Sequence, residues 1–217
     1  MVAVLAHPYL AGCAVLAAVY LICGIQCGWN PWKLIEGFDG STSTSKAQFF
    51  FWTLAGLFGY VAFFTAWLHQ RLTHPAGSIP DFPPMASWLA SAMGLSGATA
   101  ITAKGITSGY VASGRLVKTI AGGSGGAKGG LLVDDTGFPE LVKIQLIAWT
   151  GIAIGVFLAK LAVQIHQQDF AAFPEVDGTL LALLGIGQGT YVGKKLASVG
   201  DSSANPQPAA SSLPPVD

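Results

Sequence analysis

The 217-residue chain is apolar at 52% of its positions, only 10% of its residues are charged, and 11 basic residues balance 11 acidic ones. Its mean hydropathy of +0.54 is above that of ordinary soluble domains. The zero net charge and the lack of aromatic residues among the lysines exclude a nucleic-acid-binding surface, and the three cysteines, all in the first apolar block, exclude a disulfide framework.

Five apolar blocks, each bounded by polar, Gly or Pro residues, follow along the chain at 10–27, 47–68, 85–103, 144–165 and 179–192. A hydrocarbon core about 30 Å thick needs about 20 helical residues, which the second and fourth blocks supply, whereas the third and fifth are short. The second, third and fifth blocks contain no charged residue, although a soluble amphipathic helix carries charge on its wet face. This pattern predicts an all-α membrane protein with about five transmembrane helices.

The basic residues are segregated between the loops that five spans would place on opposite sides. One side has Arg71 alone, and Lys160 lies inside the fourth block near its end. The other side has Lys33, Lys46, Lys104, Arg115, Lys118, Lys128, Lys143, Lys194 and Lys195. The positive-inside rule therefore predicts an N-terminus outside and a C-terminus in the cytoplasm.

Two segments of the chain resemble each other in order and spacing. Lys46, Gln48, Trp52 and Thr53 recur as Lys143, Gln145, Trp149 and Thr150 at an offset of 97, and Phe82-Pro83, Gly94 and Thr99 recur as Phe173-Pro174, Gly185 and Thr190 at an offset of 91. Because the change of offset falls in a loop, this predicts a tandem duplication of a helix hairpin, with helices 2–3 and 4–5 as parallel copies.

The duplication divides the chain into five predicted segments. They are a first transmembrane helix at 1–30, hairpin repeat 1 at 31–104, a Gly-rich cytoplasmic linker at 105–142, hairpin repeat 2 at 143–197 and a disordered tail at 198–217.

Small residues recur every four positions in three of the predicted spans. Such stripes let helix backbones approach closely in lipid, so we expect helix packing at Gly94, Ala98, Gly151, Gly155, Gly185, Gly189 and Gly193. The alternative for the last three is a broken helix that lines a pore with carbonyl groups.

Uncharged polar residues within the spans allow two interpretations, interhelical hydrogen bonds or a polar path through the membrane. They are Gln48, Thr53, Ser96, Thr99, Gln145, Thr150 and Gln188. His69 and His166 occupy equivalent helix ends, where a histidine more often interacts with the helix dipole than binds a metal. We therefore predict no metal and no cofactor.

Two patterns resemble stretches of bacterial polytopic inner-membrane proteins that have no assigned activity. They are Ser45-Lys46-Ala47-Gln48 followed by Trp52-Thr53, and Leu184-Gly185-Ile186 followed by Gly189-Thr190-Tyr191 and Lys194. The resemblance implies a bacterial inner membrane and brings no catalytic residues with it.

No acid, base and nucleophile set lies within the spans, and they contain no carboxylate of the kind an ion-coupled transporter uses. We therefore expect a non-enzymatic membrane anchor, scaffold or subunit, with the lipid bilayer and a second copy or another membrane protein as partners. The alternative is a homo-oligomeric channel or passive pore for small solutes or ions.

Overall fold

The structure of the protein is a computed structural model that describes residues 7–36, 42–75, 77–112, 130–133 and 138–204. The Gly-rich part of the predicted linker, at 113–129, and the end of the predicted tail, at 205–217, lie outside the described residues. The described residues form five α-helices and no β-strand apart from two isolated bridges. The predicted all-α class is confirmed.

The five helices correspond in order to the five apolar blocks. They are α1 (Pro8–Cys27), α2 (Thr44–Thr73), α3 (Ser87–Ala112), α4 (Leu141–Gln167) and α5 (Gly178–Ala204), with a short 3-10 helix at Pro31–Leu34 between the first two. Helices α3 and α5 continue past positions 104 and 197, where the sequence suggested that the two hairpins end.

Local sequence explains where the helices begin and end. Pro8 lies in the first turn of α1, where its missing N–H costs no hydrogen bond, and Gly28 ends that helix in the left-handed conformation at φ 62°. Ser43 precedes α2 and accepts a hydrogen bond from the Lys46 N–H at 3.5 Å. Each of these termini is therefore set by residues within one turn of it.

Helices α2 and α4 lie side by side and run in the same direction. Gln48, near the start of α2, contacts the start of α4 at Thr150. Further along both helices, a Cβ placed on Gly59 of α2 would lie only 2.5 Å from Cζ of Phe157 of α4. The order of these contacts along both helices establishes their parallel direction.

Helices α3 and α5 run against α2 and α4. Helix α3 meets α2 with Leu89 beside Gly56 and with Gly97 beside Phe49, an antiparallel order. Helix α5 contacts both α3 and α4, and α1 packs on α2. The four helices of the two hairpins therefore form a ring in the order α2, α3, α5, α4, with α1 outside it.

The loops that lead into α2 and α4 have the same local geometry. Each contains an isolated antiparallel bridge, Glu36–Thr42 before α2 and Val133–Pro139 before α4. All corresponding positions differ by 97, the offset found in the sequence.

The first lysine of each of these two helices makes the same hydrogen bond back to its loop. The Nζ of Lys46 donates to the carbonyl of Glu36 at 2.7 Å, and the Nζ of Lys143 donates to the carbonyl of Val133 at 2.7 Å. Neither lysine could be assigned a partner from the sequence, because these carbonyls belong to the irregular part of the chain.

Three of the helices, α1, α2 and α4, are long and apolar enough to cross a membrane. Helices α3 and α5 contain more Gly, Ser and Thr, which lowers their apolar character. Helix α1 exposes large apolar side chains, among them Leu10, Leu21, Ile22 and Ile25, which water would disfavour. The length and surface of these helices indicate a membrane protein.

Candidate functional site

A cluster of uncharged polar side chains lies where α2 and α4 meet inside the bundle. The Gln48 side chain is fully buried and donates from Nε2 to the Thr150 hydroxyl at 2.6 Å and to the Leu146 carbonyl at 3.3 Å. Thr150, itself 1% exposed, donates to the same carbonyl at 2.8 Å. The two parallel helices are therefore joined by hydrogen bonds at this level.

The other two helices of the ring reach the same cluster. Gln188 of α5 donates from Nε2 to Oε1 of Gln48 at 2.8 Å and to the hydroxyl of Ser96 on α3 at 3.4 Å. Gln188 is 3% exposed and Ser96 is 1% exposed, so both are buried. One network of side chains thus connects all four helices of the ring.

The geometry of the network determines how the two amides are oriented. Gln48 must turn its NH₂ toward the Leu146 carbonyl, which can only accept, so its Oε1 faces Gln188. Gln188 must then present its own NH₂, and its Oε1 is left without a partner among the described residues. The Ser45 hydroxyl, one turn before Gln48 on α2, is also buried and unpartnered there.

Lys46 and Lys143 lie at one end of the bundle. Aromatic rings fill its interior toward the other end. The ring of Phe63 lies 5.3 Å from those of Phe170 and Phe173, centroid to centroid, and the Trp88 ring lies 5.3 Å from that of Phe157. Most of these contacts are edge-on, as aromatic pairs prefer. Phe63, Phe157, Phe170 and Phe173 are all buried, so the interior is tightly packed here.

Four of the seven polar residues expected from the sequence meet in this cluster, namely Gln48, Ser96, Thr150 and Gln188. Thr99 is buried and donates to the Leu95 carbonyl at 2.8 Å. Thr53 is half-buried and donates to the Phe49 carbonyl at 2.8 Å. Gln145 is exposed on the surface of α4.

The small residues expected to pack lie on open faces of the described chain. A Cβ on any of the six glycines in this set would meet nothing within 4 Å outside its own helix, and Ala98 is exposed. The glycines are Gly94, Gly151, Gly155, Gly185, Gly189 and Gly193. Their role in helix packing stays a prediction.

Other glycines make the close approaches within the chain. A Cβ on Gly12 of α1 would lie 2.7 Å from Cδ2 of Phe58, and the contact of Gly59 with Phe157 is closer still. Neither Gly12 nor Gly59 belongs to the stripes of small residues, spaced four positions apart, that the sequence suggested as packing sites. Their signal is a single glycine within an apolar helix.

The sequence patterns also did not indicate the charged cluster at the start of α4. The Glu140 carboxylate lies 2.7 Å from Nζ of Lys194 on α5 and 3.2 Å from Nζ of Lys143. Burial raises the pKa of Glu140, but hydrogen bonds from both lysines outweigh this and leave it below its usual value. The spacing of Glu140 and Lys143 could have suggested their pairing, whereas Lys194 is brought in by the fold.

The described part of the chain contains no group of three His, Cys, Asp or Glu residues that could hold a metal. His166 is exposed, and His69 is half-buried with Nδ1 unpartnered. The three cysteines of α1 are free thiols.

The chain matches no protein-family model, no curated protein and no solved structure. Its class therefore follows from the fold alone, which is all-helical with three helices long and apolar enough to cross a membrane.

Proposed function

We propose that this protein is a non-enzymatic integral membrane protein, an anchor, scaffold or subunit of a larger membrane assembly. The observation that carries the proposal is the use made of the intramembrane polar groups. Gln48, Ser96, Thr150 and Gln188 bond to one another across four helices and hold the bundle together. Interhelical hydrogen bonds are a usual means of association in lipid, where the hydrophobic effect between helices is absent.

The aromatic cluster supports a closed rather than an open bundle. A path through the centre of one chain would have to pass the buried rings of Phe63, Phe157 and Phe173. A channel, the alternative, would instead require a passage between several chains.

The proposed arrangement has five spans, an external N-terminus and a cytoplasmic C-terminus in a bacterial inner membrane. Helices α3 and α5 count as spans because they run the length of the bundle against α2 and α4. The antiparallel order supports the orientation, since Lys46, Lys143 and Lys194 gather at one end while Asp81 and Asp177 lie at the other.

We also infer that the two hairpins are duplicated copies. Support comes from the equal offset of 97 between the two loop bridges, between the lysine-to-carbonyl hydrogen bonds, and between the Thr53–Phe49 and Thr150–Leu146 bonds. The repeat unit accordingly includes the loop before its first helix.

The test is planar-bilayer recording and mass measurement on one purified preparation. We expect the protein to stay in membranes washed at alkaline pH, and to give no conductance above that of protein-free bilayers. Phe63→Ala serves as the matched variant, because it thins the aromatic cluster without adding charge. Reproducible conductance in the natural protein would establish the channel instead. A further rise with Phe63→Ala would place the passage inside one chain, and an unchanged conductance would place it between chains.

A further inference from the structure

Helix α1 occupies one particular face of α2. Gly12 lies directly against Phe58, where even a Cβ would come within 3.1 Å of the Phe58 carbonyl oxygen. Leu16, one turn later, lines the same cavity as Phe51 and Leu54. The docking face of α2 for α1 therefore consists of Phe51, Leu54 and Phe58, which recur at helical spacing.

The same face of α4 is open. Moving by the repeat offset of 97 places Ala148, Gly151 and Gly155 where α2 has Phe51, Leu54 and Phe58. All three are exposed, and a Cβ on either glycine would meet nothing within 4 Å. The first hairpin carries α1 on this face. On the corresponding face of the second hairpin no helix lies among the described residues.

An apolar groove of about 480 Å³ coincides with this vacant position. Leu16 of α1 forms one wall, Gly151 and Leu158 of α4 form the other, and Leu54 and Phe58 lie at its base. The groove is therefore continuous with the interface between α1 and α2. Its lining is apolar and it lies at mid-length of three helices that can cross a membrane, so lipid chains or an apolar protein segment, and not water, would fill it.

The part of this sequence that corresponds to α1 does not supply an apolar segment for this position. The residues that correspond to α1 at the repeat offset are 105–124, which begin as the last turns of α3. They also include Arg115 and Lys118 and end in a Gly-rich run, so their sequence is not that of a span.

We propose that α1 of a second copy of this chain occupies the groove. Helix α1 already packs on the equivalent face, and it is apolar on its far side, where Ala14, Ala17 and Leu21 are exposed. Each chain offers one α1 and one groove on the same side. A two-fold axis along the membrane normal lets two chains exchange these contacts reciprocally, which closes the assembly as a dimer.

In this dimer each α1 lies between α2 of its own chain and α4 of its partner. The inference rests on the proposed membrane location and on the duplication, and it adds the partner and the contact face to the proposed function. It also assigns a role to Gly151 and Gly155, which let the incoming helix approach closely.

Cysteine cross-linking of the full-length protein in bilayer nanodiscs or native membranes tests the contact. In a background with Cys13, Cys23 and Cys27 changed to Ala, one tagged chain carries Ala17→Cys and a second, of different size, carries Gly151→Cys. Oxidation should yield a disulfide-linked heterodimer. The matched control replaces Gly151→Cys by Gly189→Cys, an equally open glycine on α5, and should yield at least tenfold less product.

A second variant tests whether the groove is the contact surface of the dimer. Gly151→Leu adds a side chain into open space, so the single chain keeps its fold while the dissociation constant of the dimer rises at least tenfold, and Gly189→Leu leaves the dimer intact. A monomeric natural protein, or equal cross-linking at Gly151 and Gly189, overturns the inference. A monomer that stays in membranes without conductance leaves the proposed function standing, whereas conductance overturns that function whatever the cross-linking shows.

Discussion

Gln48 and Gln145 lie at matching positions near the starts of α2 and α4, 97 residues apart, but have opposite surroundings. Gln48 is fully buried and makes three hydrogen bonds, whereas Gln145 is exposed on α4. A buried amide within a membrane must find partners because the surrounding lipid supplies none. Two identical residues at repeated positions should therefore contribute very differently to stability.

Replacing Gln48 by Leu removes the centre of the network and leaves Gln188 without its shorter hydrogen bond, while the 3.4 Å bond to Ser96 remains possible. We expect the free energy of unfolding in detergent to fall by about 1–3 kcal/mol, since interhelical hydrogen bonds contribute up to about 2 kcal/mol each. Gln145→Leu is the control and should change stability by less than about 0.5 kcal/mol. Thermal or SDS unfolding followed by circular dichroism measures both, and equal losses would show that the network is not what stabilises the bundle.

Helix α4 is secured at its start by charge. Glu140 immediately precedes the helix, where a carboxylate is favoured by the helix dipole, and it joins Lys143 of α4 to Lys194 of α5. Its side chain is only 9% exposed, so these ion pairs are shielded more than those on an open surface. The contact ties the beginning of α4 to the second half of α5.

The lowered pKa of Glu140 predicts how this element responds to acid. A carboxyl group whose pKa is lower in the folded than in the unfolded state stabilises the fold at pH values above its ordinary pKa of 4.5. That stabilisation is lost as the pH falls through the pKa of the group in the folded state. The melting temperature should therefore drop between pH 6 and pH 3.

Glu140→Gln should lower the melting temperature at pH 6 and reduce the drop on acidification. The ion pairs involve partly exposed groups, so we expect an effect of about 1 kcal/mol or less. An unchanged pH dependence in this variant would assign the acid response to other carboxyl groups.

At the scale of the whole molecule, the described residues combine a filled interior with an apolar groove beside α1. The ring of four helices is closed by the polar network at one level and by aromatic rings at another, while α1 covers only one side of α2. An open apolar surface of the described chain therefore lies beside α1, on the part of the molecule that we propose faces a second copy.

The proposed orientation has a direct genetic test. Alkaline phosphatase, which is active only outside the cytoplasm, should be inactive when fused after Gly126 and active when fused after Ser78 in the loop between α2 and α3. The physical basis is the nine-to-one distribution of basic residues between the two sides. Activity after Gly126 together with inactivity after Ser78 would reverse the orientation.

The sequence by itself determined the number and order of the helices. Apolar blocks bounded by Gly, Pro and polar residues predict helices because the signal is local, contained within each segment and its caps. The sequence also suggested an internal repeat, since Gln48 with Trp52 recurs as Gln145 with Trp149 at a constant offset. The loops before α2 and α4 have matching bridges at the same offset, and the duplication stays a proposal. Four polar residues of the central cluster were named on the same local grounds.

Only the tertiary structure decided which face of each helix is covered. Helical spacing places Gly151 and Gly155 on one face of α4, but it does not say whether a neighbouring helix lies there, and none does within the described chain. The close approach falls instead at Gly59, opposite Phe157. The physical reason is that packing depends on contacts between residues far apart in sequence, which the periodicity of a single helix does not contain.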